Sequence, residues 1–158
     1  MNRVVVLKDQ RVVGIRPMAA DDVVVISDWP AQSGSTQDQL CEAAAASMAA
    51  RGYQVFRVPA RSTGGLFNVH YTYTNVVMCN GVVLVPTYTD ANVTPLNAQA
   101  LAVWAAAVPG RTVVPINSQA IVSAAGVLHC IVMHVPAPPG GALPTAYLGA
   151  PDGGQVLV

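Results

Sequence analysis

The chain has 158 residues, enough for one domain with its own core and too few for two ordinary ones. Its formal net charge is zero, so it carries no basic footprint for nucleic acid and no polybasic patch for a membrane. Charged residues make up only 10% of the chain against 53% hydrophobic, where a soluble domain carries about 25% charged residues. So little charge suggests a surface partly covered by another chain or by further sequence; the alternative is a small Ala/Val-rich protein with a neutral exterior. The cysteines, Cys41, Cys79 and Cys130, show no C-x-x-C spacing, so neither a disulfide framework nor a metal site is expected, and no cofactor motif is present. The opening "MNRVVVLKDQ" is too short an apolar stretch for a signal peptide. The window from Ala120 to Val135 falls short of the roughly 20 apolar residues of a membrane helix. The expectation is a soluble, cytoplasmic protein.

In chain order, "RVVGIRPMAADDVVVIS" reads as two strands joined by a longer turn, and "TQDQLCEAAAASMAARG" as a helix capped by Ser35 or Thr36 and closed by Gly52. Cys41 falls within that helix and reads as a packing residue. "YQVFRVPA" is a strand. In "YTNVVMCNGVVLVPTY" the Asn80-Gly81 pair between two apolar runs predicts a hairpin. "LNAQALAVWAAAVPG" is a second helix closed by Pro109-Gly110, and "RTVVPINS" a further strand. "VLHCIVMHVP" reads as the leading strand of another unit, and the Pro/Gly-rich remainder as irregular.

Two segments therefore repeat one pattern. Val23 aligns with Val82 at an offset of 59 residues, and Val55 with Val113 at 58. The fold class expected is α/β, built from repeated ββαβ units, about two and the start of a third, packed around a shared axis. Residues 1–136 form the repeat domain and 137–158 a tail.

Adjacent residues of a strand point to opposite faces, so on a strand His129 is not the base that activates Cys130. Cys130 and His134 share a face but stand roughly 13 Å apart, too far for one metal ion. From the residues alone, Cys130 is either a nucleophile or a small buried hydrophobe. Tyr73 and Trp104 read as core or interface residues. Asp90, at the end of "VPTYTD", reads first as a loop or capping residue, as does Asp28-Trp29-Pro30 at the equivalent place.

"YTYTNVVMCNGVVLVPTYTD", followed by "AVPGRTVVPIN" and "LHCIVMHVP", resembles the C-terminal part of the agmatine deiminase and bacterial peptidylarginine deiminase family, members of the pentein group of guanidine-modifying enzymes. The resemblance covers residues 71–136 well and 16–60 weakly. It implies five ββαβ units around a pseudo-five-fold axis in a complete member. It also implies hydrolysis of the guanidinium group of agmatine or of free or peptidyl arginine to a ureido product and ammonia. On this match Cys130 is the catalytic nucleophile, Asn75 a polar catalytic residue beside it, and Asp90 a candidate substrate-binding residue. The family's His-x-Asp pair aligns with Gln10 and Val12, which cannot replace it, and a further acidic ligand lies upstream of the matched region. The resemblance therefore implies a truncated homologue or one half of a split enzyme. Its partners would be a guanidinium compound and either further copies of itself or a complementary N-terminal chain, with no nucleic acid and no membrane. The alternative is a non-catalytic oligomerising module that keeps the deiminase fold.

Overall fold

The computed structural model describes residues 4–8, 11–13, 23–63, 68–79, 81–124 and 126–133. The tail from 137, His134 and Gln10 lie outside the described residues. Within them the fold is mixed α/β. Strands β1 (Val4–Lys8), β2 (Arg11–Val13), β3 (Val23–Asp28), β4 (Gln54–Ser62) and β5 (His70–Thr72) make one sheet in the order β2-β1-β3-β4-β5. Strands β6 (Val77–Cys79), β7 (Val82–Thr87) and β8 (Thr112–Asn117) make a second in the order β6-β7-β8.

Helix α1 (Thr36–Ala50) links β3 to β4 and helix α2 (Thr94–Ala107) links β7 to β8, each joining parallel neighbours. A parallel pair needs such a crossover because the chain must return to the same end before it re-enters the sheet. The two registers match: Val24 faces Val55 in one unit and Val83 faces Val113 in the other, as the repeat offsets predict. The helix limits also follow the sequence. Ser35 caps α1 by accepting the Asp38 N–H at 3.2 Å. Gly52 and Gly110, each past a helix end, take φ of 88° and 85°, a region that a Cβ disfavours. The expected hairpin joins β6 to β7, with Cys79 opposite Val82 across two residues.

The four-residue run Val23 to Ile26 is buried on both faces, which explains why it does not alternate. Val23 and Val25 join the main core with Val83, Val85, Ala100 and Trp104, and α1 packs on the same sheet. Helix α2 touches strands of both sheets and so holds the two units together. Val82, Leu84, Val114 and Ile116 of the second sheet stay only half-buried. No helix of the described residues is long and apolar enough to cross a membrane.

Two expectations fail. The strand beside β3 is β1, parallel to it, and not the antiparallel partner expected within 11–28; β2 pairs with the far edge of β1. Lys8 faces Arg11, so two residues suffice to turn β1 into β2, and this local pairing leaves the other edge of β1 for β3. The second failure is "VLHCIVMHVP". His129–Ile131 form a single 3-10 turn and not a strand, with the Cys130 N–H donating to the Val127 carbonyl at 3.2 Å and Ile131 N–H to Leu128 at 3.3 Å. A β-run becomes a strand only against a neighbouring edge, and among the described residues none pairs with 127–133. Among the described residues up to Met133, no strand of a third unit is formed.

Candidate active site

The site begins with four residues that are not a strand. Strand β5 ends at Thr72 in the first sheet and β6 starts at Val77 in the second, so residues 73–76 cross between sheets without a ladder partner. All four are buried, and their polar groups must find other partners. Helix α2 supplies those of Tyr73. Trp104 Nε1–H donates to the Tyr73 carbonyl at 2.8 Å, and the Tyr73 hydroxyl donates to Asn97 Oδ1 at 2.7 Å. Asn97 in turn donates through Nδ2 to the Tyr88 carbonyl at 2.9 Å and accepts the Tyr88 N–H at 3.1 Å. The hydroxyls of Thr72 and Thr74 bond each other at 2.8 Å, and the Tyr88 hydroxyl donates to the Thr72 carbonyl at 2.7 Å. Tyr71 and Tyr73 meet the Tyr88 ring edge-on at 5.0 and 5.3 Å. Burial pushes the phenols of Tyr73 and Tyr88 well above their ordinary value, and for Tyr88 the neighbouring Tyr73 adds to the effect.

This frame presents Asn75, which is 3% exposed. Its Oδ1 accepts the His129 N–H at 2.7 Å and its Nδ2 donates to Cys130 Sγ at 3.0 Å. The orientation of the amide is fixed by chemistry. A backbone N–H can only donate, so the oxygen faces it and the NH2 faces sulfur. The sulfur thus receives a hydrogen bond, the role a thiolate fills better than a thiol. Val127 and Leu128, 1% and 7% exposed, anchor the turn in the core while Cys130 itself is exposed. That removes the buried-hydrophobe reading of Cys130. Cys130 lies in a 3-10 turn, so strand spacing does not describe it, and His134 lies outside the described residues.

Residues 75 and 130, 55 positions apart, are thus brought together. Asp90 lies at the exit of β7, and its carboxylate serves the loop: Oδ1 accepts the Asn92 N–H at 2.9 Å and Oδ2 the Tyr71 hydroxyl at 3.4 Å. Its backbone carbonyl accepts from Val93 and Thr94 at 2.9 and 2.8 Å; Asp90 is thus a loop residue, and helix α2 starts after Val93 without a side-chain cap. Val12, in β2, is the register partner of Leu7 in β1. Trp29 is 3% exposed against the His70 ring, and Tyr73 and Trp104 are fully buried, as expected of core residues. Asp28, Asp38 and Glu42 converge to within 4.8 Å. Arg57 pairs with two of the three carboxylates, at 2.7 Å from Glu42 and 3.4 Å from Asp28, while Asp38 accepts the Gly34 N–H. Sequence reading missed Asn97 and Gln119, the second of which accepts the Thr89 and Asp90 N–H groups at 3.1 and 3.0 Å. Asn97 left one trace, a polar residue within the apolar helix "PLNAQALAVW".

The family model for Porphyromonas-type peptidyl-arginine deiminase matches residues 12–136. A solved putative arginine deiminase from Porphyromonas gingivalis is 29% identical, with a TM-score of 0.57, over 72% of this chain and 34% of its own. Agmatine deiminase of Enterococcus faecalis is 20% identical at a TM-score of 0.57, over 71% and 36%. Agmatine deiminase of C. jejuni is 16% identical at 0.57, over 72% and 34%. No curated protein matches the chain. The chain spans about a third of the length of these solved structures. With most of its length within the family match, the chain belongs to the Porphyromonas-type peptidyl-arginine deiminase family.

Proposed function

We propose that this chain is the C-terminal portion of a cysteine-dependent deiminase, active when further deiminase-fold sequence completes it. The observation that carries the reading is the 3.0 Å contact from Asn75 Nδ2 to the exposed Cys130 Sγ, across 55 residues. The thiolate attacks the guanidinium carbon of agmatine or of an arginine side chain, ammonia leaves, and water then releases the ureido product and restores the thiol. The net reaction consumes one water and yields one ammonia. Acidic side chains must grip the guanidinium and a His must move protons. Gln10 and Val12 stand where the His-x-Asp is expected, so both duties fall to another segment or chain. The two β-α-β crossovers of equal register fit ββαβ units of a pentein, and the half-buried Leu84 and Val114, register partners, fit a face that a further unit covers.

The test supplies agmatine, free arginine or an arginyl peptide with and without an N-terminal deiminase segment carrying the His-x-Asp. Ammonia with N-carbamoylputrescine or citrulline is expected only in the assembly, and Cys130→Ser abolishes it. Turnover that survives this substitution removes Cys130 from the mechanism.

A second reading, a non-catalytic assembly module, draws on Ile131, Val132 and Met133, which are 66%, 41% and 88% exposed beside the site. It predicts an oligomer in sedimentation; a well-behaved monomer counts against it.

A further inference from the structure

Four of the described glycines answer to two different physical needs, and Gly81 to neither. Gly34, Gly52 and Gly110 have positive φ, and a Cβ on any of them would meet nothing within 4 Å. Their requirement is conformational. Gly126 is different: a Cβ there would lie 2.9 Å from Cys130 Cβ and 3.2 Å from Cys130 Sγ. Its requirement is space, and the atoms that need the space belong to the candidate nucleophile.

We propose that Gly126 is a positioning residue for Cys130, leaving the room into which the cysteine folds so that its sulfur meets the Asn75 amide. Cys130 Cβ is bonded directly to the backbone and cannot swing aside as the end of a long side chain can. A side chain at 126 is therefore accommodated only by moving the His129–Ile131 turn. That turn is held to Asn75 by two bonds, His129 N–H to Oδ1 at 2.7 Å and Nδ2 to Sγ at 3.0 Å. Val127 and Leu128, buried in the core, keep the preceding backbone from yielding instead. The displacement falls on the Asn75–Cys130 contact. This inference rests on the reading of Cys130 as the nucleophile position, but its consequence is a property of the thiol and is measured without turnover.

The experiment uses the full chain and iodoacetamide under native conditions, with mass spectrometry reporting Cys130 alkylation relative to exposed Cys79. Gly126→Ala is expected to slow Cys130 about tenfold against Cys79, the effect of losing one hydrogen bond to a charged sulfur. Asn75→Ala should slow it similarly, and the double variant should be no slower than Asn75→Ala alone, since both remove the same contact. An unchanged Cys130 rate in Gly126→Ala, or effects of the two substitutions that multiply, overturns the proposal. If Gly126→Ala is poorly folded, Cys130→Gly in the same chain should restore its Tm by removing the clashing atoms. Failure of that rescue equally overturns the proposal. Failure of the deiminase reading shows elsewhere, as absence of ammonia release in the completed assembly with these alkylation rates intact.

Discussion

Replacing Trp104 by Phe tests whether helix α2 holds the inter-sheet crossing that presents Asn75. Trp104 is fully buried and its Nε1–H reaches the Tyr73 carbonyl at 2.8 Å, two residues before Asn75. Phe keeps the aromatic packing but removes the donor and leaves that carbonyl unsatisfied in the core, a cost of about 1–3 kcal/mol. The smaller ring leaves a gap worth about 1 kcal/mol more. The expected loss is therefore about 2–4 kcal/mol, a Tm drop of roughly 5–15 °C for a chain of this size. Chemical denaturation followed by circular dichroism reads the free energy, with Trp29 remaining as a fluorescent reporter. The dependence on denaturant should not change, because the same surface is exposed on unfolding. A loss below about 0.5 kcal/mol, within the range of surface substitutions, would mean that α2 does not hold residues 73–76.

Other outcomes follow from the same contacts. Tyr73 and Tyr88 both titrate above their ordinary value of 10.0, because burial disfavours the phenolate. Their contribution to stability is complete below the unfolded value and declines as pH rises through about 10 towards the folded values. Denaturation series at pH 8 and pH 11 should show stability lost on the alkaline side, with the loss reduced in Tyr88→Phe; an equal loss in that variant would refute the assignment. Arg57→Gln removes the cation shared by Glu42 at 2.7 Å and Asp28 at 3.4 Å and the donor to the Ser27 carbonyl. It should lower stability by about 1–2 kcal/mol, read by denaturant titration. Added divalent cation should then raise Tm only in the variant, because the acidic group has lost its own cation; an equal rise in the wild-type chain would contradict the role given to Arg57.

The helices and the parallel pairs were legible because their signals are local. Ser35, Gly52 and Gly110 mark helix ends whatever surrounds them, and the 59- and 58-residue offsets carry the strand registers directly. The Val-Val-Val-Leu run of β1 was weighed only as a signal peptide and not read as a strand, and nothing in it says which edge β3 takes. That choice depends on the two-residue link to β2 having filled the other edge. "LHCIV" misled for the complementary reason. Its composition is that of a strand, but a strand is a relation between two segments, and with no strand edge beside it among the described residues the run closes a 3-10 turn.

The sequence by itself determined the two helices with the strands they join, the repeated crossover and, through its resemblance to the deiminases, the implied pairing of Asn75 with Cys130. It could state that pairing only as an implication, since 55 residues of chain permit many separations. The tertiary structure decided how the two meet. Residues 73–76, crossing between sheets and held through Tyr73 by Trp104 and Asn97, aim the Asn75 amide, and a turn over Gly126 brings the sulfur to it. The exposure of Cys130 was likewise beyond the sequence, because burial is set by what packs over a residue and not by its neighbours in the chain.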